Sequence, residues 1–185
     1  MHRISAFLIV AGLVFAGSDT PSIANFHQVD ANLFRGAQPA PQEFQSLARF
    51  GIKTVLDLRD EESHLRAEKK LVEAAGMQYI SLPMNGLLAP TDQQITRALA
   101  VVEDTANGPI FVHCRRGADR TGTVIACYRV AHDQWRNEKA LDEARTFGMS
   151  WVERGMRSYV LHFRAPALPV PAVVAAPGAV ATPAR

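Results

Sequence analysis

The chain has 185 residues, 48% of them apolar and 21% charged, which is typical of one globular domain and excludes a large multidomain enzyme or a wholly disordered chain. Lysine and arginine outnumber aspartate and glutamate by 20 to 18, and a formal charge of +2 gives no reason to expect a nucleic-acid partner. The two cysteines, Cys114 and Cys127, are too few for a disulfide scaffold or a four-cysteine zinc site. At least one of them is therefore a candidate for chemical reactivity.

The start of the chain has the pattern of a secretory signal peptide. A short basic start precedes an apolar run from about Ile4 to Ala16, which is shorter than the ~20 residues of a membrane-spanning helix. Small residues allow cleavage after Ala24 or after Ala16. We therefore expect a signal peptide over residues 1–24 and a periplasmic or secreted protein. An uncleaved anchor is the alternative, and membrane contact is expected only in that case.

The catalytic domain is expected over residues 25–164. Residues 165–185 consist almost entirely of alanine, proline and valine, and the repeated prolines would break a helix. We expect this tail to be disordered or extended.

Short apolar segments alternate with helical segments along the domain. In chain order, the pattern predicts a helix over 41–50, a strand over 53–59, a helix over 61–75, a strand over 77–82, a helix over 91–106, a strand over 109–113, and helices over 120–132, 137–147 and 152–163. A capping box at Thr91 and Gln94 marks the third helix start, and Gly76 and Gly148 mark helix ends. The alternation predicts an α/β fold with a mainly parallel central sheet flanked by helices on both faces.

The segment from Ile110 to Gly122 places a short polar loop between a strand and the start of a helix. Such a loop directs several backbone N–H groups into one concavity, where the helix dipole also favours an anion. The same environment favours the thiolate form of a cysteine, and Cys114 begins the loop. Arg120 can offer a planar fork to two phosphoryl oxygens, and Gly117 permits a positive φ or a close approach of the backbone. The segment therefore predicts a nucleophile and a phosphate cradle at one site.

The residues from His113 to Gly122 match H-C-x₂-G-x₂-R-[ST]-G, the signature of cysteine-dependent protein tyrosine and dual-specificity phosphatases. Two further segments, over 33–39 and 51–59, resemble small atypical dual-specificity phosphatases of bacteria, plants and fungi. The resemblance covers about residues 32–128, although only the loop is diagnostic. It implies a phosphate-binding loop between a strand and a helix, in the fold of the cysteine phosphatases.

The resemblance also implies the role of each loop residue. Cys114 attacks phosphorus to form a phosphocysteine, and Arg120 holds the equatorial oxygens. Thr121 hydrogen-bonds the sulfur as the intermediate breaks down, and His113 orients the loop. The implied substrate-binding residues are Arg115, Arg116, Gly117, Ala118, Asp119 and Arg120. The other histidines lack metal-ligand spacing, so we expect no metal and no cofactor.

The general acid has two candidates. No Trp-Pro-Asp triplet exists, because both tryptophans follow the loop. Asp92 precedes a helix in the register of the atypical phosphatases, although an aspartate in a first helical turn also stabilises the helix dipole. Asp119 resembles the in-loop aspartate of myotubularin-like phosphatases, although it could instead pair with a neighbouring arginine.

Arg115 and Arg116 would favour polyanionic substrates at the rim of the cradle. We therefore expect a phosphatase that hydrolyses phosphomonoesters on phosphotyrosine proteins or on phosphoinositide or inositol phosphate substrates. The alternatives are a rhodanese-like sulfurtransferase and a non-enzymatic phosphate-binding module. The five residues between Cys114 and Arg120 suit a tetrahedral phosphate and favour the phosphatase.

Cys127 lies among apolar residues of the helix that follows the loop, and we expect it to be buried. If Arg120 starts that helix, Cys127 lies about 10 Å further along the axis. Disulfide-bonded cysteines need Cα atoms within about 7 Å. We therefore expect no bond between Cys114 and Cys127.

Overall fold

The structure, a computed structural model, describes residues 20–165, apart from the side chains of residues 62–64. Most of the expected signal peptide, residues 1–19, and the tail beyond residue 165 lie outside the described residues. The strands of the described part are β1 (His27–Gln28), β2 (Leu33–Ala37), β3 (Thr54–Asp57), β4 (Gln78–Ser81) and β5 (Ile110–Cys114). The α-helices are α1 (Glu43–Phe50), α2 (Glu62–Ala74), α3 (Asp92–Glu103), α4 (Asp119–Ala131), α5 (Asn137–Thr146) and α6 (Arg154–His162).

The strands form one sheet in the order β1-β2-β5-β3-β4. Only β1 runs antiparallel, to β2, and the other pairings are parallel. The predicted mainly parallel sheet is therefore confirmed. Strands β1 and β2 were not predicted, because β1 has two residues and β2 carries Arg35 and Gly36 within its apolar pattern. The third predicted helix ends early, at Glu103, because the Asp104 carboxylate caps a following 3-10 turn.

Helices cover both faces of the sheet, as predicted. Adjacent strand residues point to opposite faces, so Val55 and Phe111 pack with α1 and α2, whereas Leu56 and Val112 pack with α3 and α4. A third apolar cluster joins α4 to α5 and α6. Helix α4 is thus buried on all sides, which holds its amino terminus firmly against the end of β5.

The two cysteines are free thiols, and both are buried. Cys127 packs within the cluster between the sheet and α4, and burial raises the pKa of its thiol. Its expected role as a buried apolar residue is confirmed. Within residues 20–165, no helix is long and apolar enough to cross a membrane.

Candidate active site

The predicted phosphate loop lies at the carboxyl edge of the sheet. It connects the central strand β5 to α4, and parallel pairing places Ala37 beside Cys114 and Asp57 beside His113. The ends of three neighbouring strands therefore meet around the loop. This is the edge at which α/β sheets bind ligands.

Donors outside the loop hold three successive loop carbonyl groups. The carbonyl of Arg115 accepts from Gln38 N at 3.4 Å, that of Arg116 from Asn25 Nδ2 at 2.9 Å, and that of Gly117 from Arg35 Nη2 at 2.6 Å. Because a trans peptide directs its N–H opposite to its C=O, the N–H groups of residues 116–118 point away from these donors. The row of N–H groups, with the amino terminus of α4 behind it, has the geometry of an anion-binding nest.

Gly117 allows the loop to approach β2. Its φ is +68°, and a Cβ atom at this position would lie 2.3 Å from the carbonyl carbon of Gly36. Both the left-handed backbone and the close contact with another backbone therefore require glycine.

We expect Gly117→Ala to lower the free energy of unfolding by about 2–4 kcal/mol, because overpacking adds to left-handed strain. Gly76→Ala is the matched control, since Gly76 has a φ of +79° and a Cβ atom added there would meet nothing within 4 Å. The control should lose only about 1 kcal/mol. Urea unfolding measures both, and equal losses would contradict the argument from close contact.

Arg35 supports the loop from the interior of the protein. Its side chain is 1% exposed, its Nη2 donates to the Gly117 carbonyl, and its Cζ lies 4.0 Å from the centre of the Phe147 ring. Burial lowers the pKa of the Arg35 guanidinium to about 10. Its Nε and Nη1 have no hydrogen-bond partner among the described residues. Such incomplete pairing of a buried charge is destabilising, so Arg35 is not explained by its contribution to stability. Its hydrogen bond to the Gly117 carbonyl instead assigns it to the positioning of the loop.

A cavity of about 230 Å³ opens over the loop. It is lined by Gly86, Cys114, Arg115, Arg116, Asp119, Arg120 and Glu153. Cys114 is only 2% exposed, which places its thiol at the floor of the cavity. The structure thus brings together most of the residues that the sequence assigned to catalysis and substrate binding.

Arg120 is anchored beside the cavity before any ligand is present. Its Nη1 donates to Asp60 Oδ1 and to the Met84 carbonyl, both at 3.1 Å. The loop at Gly86 passes beside the guanidinium, since a Cβ there would be in ordinary van der Waals contact with Nη2, at 3.6 Å. These contacts fix the orientation of the fork. Thr121, the next residue, is fully buried, and its hydroxyl has no hydrogen-bond partner in the described part of the chain.

The two candidate acids lie in different places. Asp119 lines the cavity, where its Oδ2 accepts from Arg116 Nη2 at 2.6 Å and its Oδ1 from Ser150 N at 2.8 Å. The same hydrogen bond from Arg116 to Asp119 raises the pKa of Arg116. Asp92 instead accepts from Tyr159 Oη at 2.8 Å and lines a separate cavity of about 470 Å³.

His113 is embedded in a buried charged network behind the loop. Its Nε2 lies 2.7 Å from Glu68 Oε1, in poor alignment for a hydrogen bond, and Arg59 bridges Glu68 and Asp57. Burial opposes ionisation of Asp57, but hydrogen bonds from Arg59 hold the pKa of Asp57 below its usual value. Tyr79 also donates to Asp57, at 2.9 Å. The network ties α2 to the ends of β3 and β5.

Three members of this network could ligate a metal ion by their positions alone. The ligating atoms of Asp57, Glu68 and His113 all lie within 4.8 Å of one another, a grouping that the sequence spacing did not reveal. The Arg59 guanidinium already supplies a positive charge to both carboxylates. The expectation that the reaction uses no metal ion stays a prediction.

Sequence reasoning missed Gly86 and Glu153, which line the cavity, and three residues that support the site: Asn25, Arg35 and Asp60. Each of these three contacts the loop or Arg120 across a long separation in the chain, from 60 to 91 residues. The sequence around these three residues gave little indication of a role at the loop. The one local sign was at Asn25, because asparagine tolerates the left-handed backbone that it adopts here, with a φ of 56°. Their contribution follows from the strand order.

A family model described as "DSP-PTPase phosphatase fused to NAD+ Kinase" matches residues 5–158. The chain belongs to this phosphatase family. Among curated relatives, inositol diphosphatase SIW14 of Saccharomyces cerevisiae is 31% identical over 128 residues, covering 66% of this chain and 45% of the relative. Inositol diphosphatase DSP4 of Arabidopsis thaliana is 29% identical over 127 residues, covering 66% of this chain and 63% of the relative. The chain thus spans less than two thirds of either relative.

Solved structures of such phosphatases share the fold. The core catalytic domain of the PP-IP phosphatase SIW14 from S. cerevisiae, in complex with citrate, has a TM-score of 0.69 at 26% identity, covering 77% of this chain and 87% of that one. P. aeruginosa TpbA, as a cysteine-to-serine variant in complex with pTyr, has a TM-score of 0.65 at 27% identity, covering 77% and 85%. The expected fold and family of this dual-specificity-like phosphatase are confirmed.

Proposed function

We propose that this family member hydrolyses phosphomonoesters through a phosphocysteine intermediate. The observation that carries the proposal is the placement of Cys114 at the floor of a cavity lined by Arg120 and a nest of backbone N–H groups. In the first step, a bond forms between the sulfur and phosphorus while the bond to the leaving oxygen breaks, and the general acid protonates that oxygen. In the second step, the deprotonated acid accepts a proton from water as the water oxygen attacks phosphorus, the S–P bond breaks, and inorganic phosphate leaves with the thiolate and the protonated acid restored.

Arg120 and Thr121 have separate roles in these steps. The Arg120 fork binds the equatorial oxygens as their charge shifts in the transition state. The unpartnered hydroxyl of Thr121 is the donor that stabilises the departing sulfur. Family membership does not support the sulfurtransferase alternative. Hydrolysis of para-nitrophenyl phosphate, with mass-spectrometric capture of phosphorylated Cys114 after acid quenching, separates the enzyme from a non-enzymatic phosphate-binding module.

We infer that phosphotyrosine-type aryl phosphates are preferred over inositol polyphosphates. Three arginines at the cavity, Arg115, Arg116 and Arg120, face Glu153, the Asp60 that contacts Arg120, and Asp119, which is neutral when it carries the proton of the general acid. The small net positive charge favours a single phosphate dianion over a polyanion. Relative rates on a phosphotyrosine peptide, a phosphoserine peptide, a phosphoinositide and an inositol polyphosphate test the inference.

Asp119 is the better placed general acid, because it lines the cavity and Asp92 does not, and the hydrogen bond from Arg116 or from Ser150 opens when one of its oxygens carries the proton. We expect Asp119→Asn to lower kcat by about 10²–10⁴-fold and to flatten the basic limb of the pH–rate profile, with the larger loss on esters of poor leaving groups. Asp92→Asn is the matched control and should retain that limb. Phenyl phosphate and para-nitrophenyl phosphate are compared as substrates. If Asp92→Asn lost the basic limb and Asp119→Asn retained it, the segment before α3 would carry Asp92 to the cavity during turnover.

We propose that the protein is exported, with a signal peptide ending at Ala16 rather than Ala24. Ile23 is buried, and the Ala24 carbonyl accepts from Ala37 N at 2.8 Å, so cleavage after Ala24 would remove packed residues. Mass spectrometry of the mature amino terminus after cell fractionation tests this. Full-length protein in the cytoplasm would contradict export, and a terminus at Asn25 would contradict the earlier site.

A further inference from the structure

Four large apolar side chains are exposed on two segments beside the phosphate-loop cavity. They form what we call the apolar rim: Leu87, Leu88, Trp151 and Val152, with exposed fractions of 77%, 64%, 74% and 55%. Only two other large apolar side chains are exposed in the described part of the chain, Leu71 at 37% and Leu161 at 41%. Exposed apolar surface is therefore concentrated at the rim, and such concentration marks a binding surface.

The apolar rim is continuous with the cavity. Its leucines directly follow Gly86 and its other two residues directly precede Glu153, and both Gly86 and Glu153 line the cavity. The two segments also contact each other, since a Cβ at Gly155 would lie 3.0 Å from Ala89 N. A ligand that places its phosphate over the loop therefore has the rim beside it.

Hydrogen bonds hold both segments in place. The side-chain oxygen of Asn85 accepts from the N–H groups of Leu87 and Leu88, at 2.9 and 3.0 Å. On the other segment, the Ser150 N–H donates to Asp119, and Arg157 Nη1 donates to the Trp151 carbonyl at 3.0 Å. The rim is thus organised before a ligand binds, which reduces the entropy lost on binding.

The charge at the cavity narrows the class of ligand. The carboxylates of Asp60 and Glu153 offset two of the three arginines, so a strongly acidic ligand gains little beyond its one cradled phosphate. An apolar ligand gains from covering the rim. The same balance disfavours a strongly anionic lipid surface.

We propose that the apolar rim binds apolar residues that flank the phosphorylated residue of a polypeptide substrate. The proposal rests on the phosphomonoesterase function proposed above. An extended peptide advances about 3.3–3.6 Å per residue, so residues one or two positions from the phosphorylated one lie within about 7 Å of it, on the surface that borders the cavity. The rim thereby selects substrates by sequence, whereas the loop recognises the phosphate.

The test uses two phosphotyrosine peptides that differ only at the two positions on each side, which are leucine in one and glutamate in the other. The full chain should favour the leucine peptide by about tenfold or more in kcat/KM. The double variant Leu87→Ser/Trp151→Ser should reduce this ratio to about threefold or less. Leu161→Ser, an exposed apolar residue outside the rim, should keep it. A ratio of two rates on one protein cancels any change in the folded fraction.

Four results would overturn the proposal: a wild-type ratio near one, a preference for glutamate, a wild-type ratio retained in Leu87→Ser/Trp151→Ser, or an equal loss of preference in Leu161→Ser. Hydrolysis of para-nitrophenyl phosphate separates the proposed phosphatase function from the proposed role of the rim. If the protein does not hydrolyse this substrate, the phosphatase function is contradicted. If it hydrolyses this substrate but shows no peptide preference, only the role of the rim is contradicted. Sedimentation with vesicles of phosphatidylcholine and phosphatidylserine is the second arm. Vesicle binding that the rim variant loses, with no peptide preference, would assign the rim to a membrane instead.

Discussion

Cys114→Ser is expected to fold normally and to lose about 10⁴–10⁶-fold in turnover, the scale seen when a covalent nucleophile is removed. Serine fills nearly the same volume on the buried floor of the cavity, so packing around β5 and α4 should persist. A serine hydroxyl is intrinsically far less acidic than a thiol, and it is therefore a poor nucleophile without an adjacent base. Turnover of para-nitrophenyl phosphate and the far-ultraviolet circular dichroism spectrum measure the two halves of this prediction.

The matched control is Cys127→Ser. Cys127 is equally buried and belongs to the same apolar cluster as Cys114, but it does not line the cavity, so its replacement should lower stability and leave the catalytic rate of the folded protein nearly unchanged. Substantial turnover in Cys114→Ser would reject the covalent mechanism. Retained phosphate binding in that variant, by contrast, is expected, because the backbone nest does not depend on the thiol.

Arg120→Lys is expected to lower kcat by about 10²–10³-fold, the scale of losing a preorganised donor to transition-state charge. An ammonium group can keep the charge, but it cannot present two parallel N–H groups to two phosphoryl oxygens. It also cannot reproduce both contacts of Nη1, to Asp60 and to the Met84 carbonyl, while facing the cavity. Steady-state kinetics on an aryl phosphate measure the loss.

Asp60→Asn separates the position of the Arg120 guanidinium from the electrostatic effect of the carboxylate that neutralises it. An asparagine oxygen still accepts from Nη1 and keeps the fork in place, but the substitution removes a negative charge next to the phosphate. We expect Asp60→Asn to weaken catalysis far less than Arg120→Lys and to lower KM. A rate for Arg120→Lys near that of the wild type would remove Arg120 from the transition state.

The phosphate loop and the alternation of strands and helices could be predicted from the sequence because both depend on neighbouring residues. The strand over Ile110–Cys114, the glycine at 117 and the start of α4 together determine an anion-binding geometry within about a dozen residues. Apolar periodicity likewise identified three parallel strands and six helices near their observed positions. The identity of the nucleophile and of Arg120 follows from the same short segment.

Only the tertiary structure decided which distant residues support that loop. Arg35 reaches it because β2 pairs with β5, and Asn25 reaches it because the segment before β1 is held against β2. Asp60 reaches Arg120 because β3 pairs with the other side of β5. The fold also separated the two candidate acids and collected the apolar rim from segments more than 60 residues apart in the chain. These contacts depend on strand order and loop packing, for which the amino-acid pattern of any one segment carries no information.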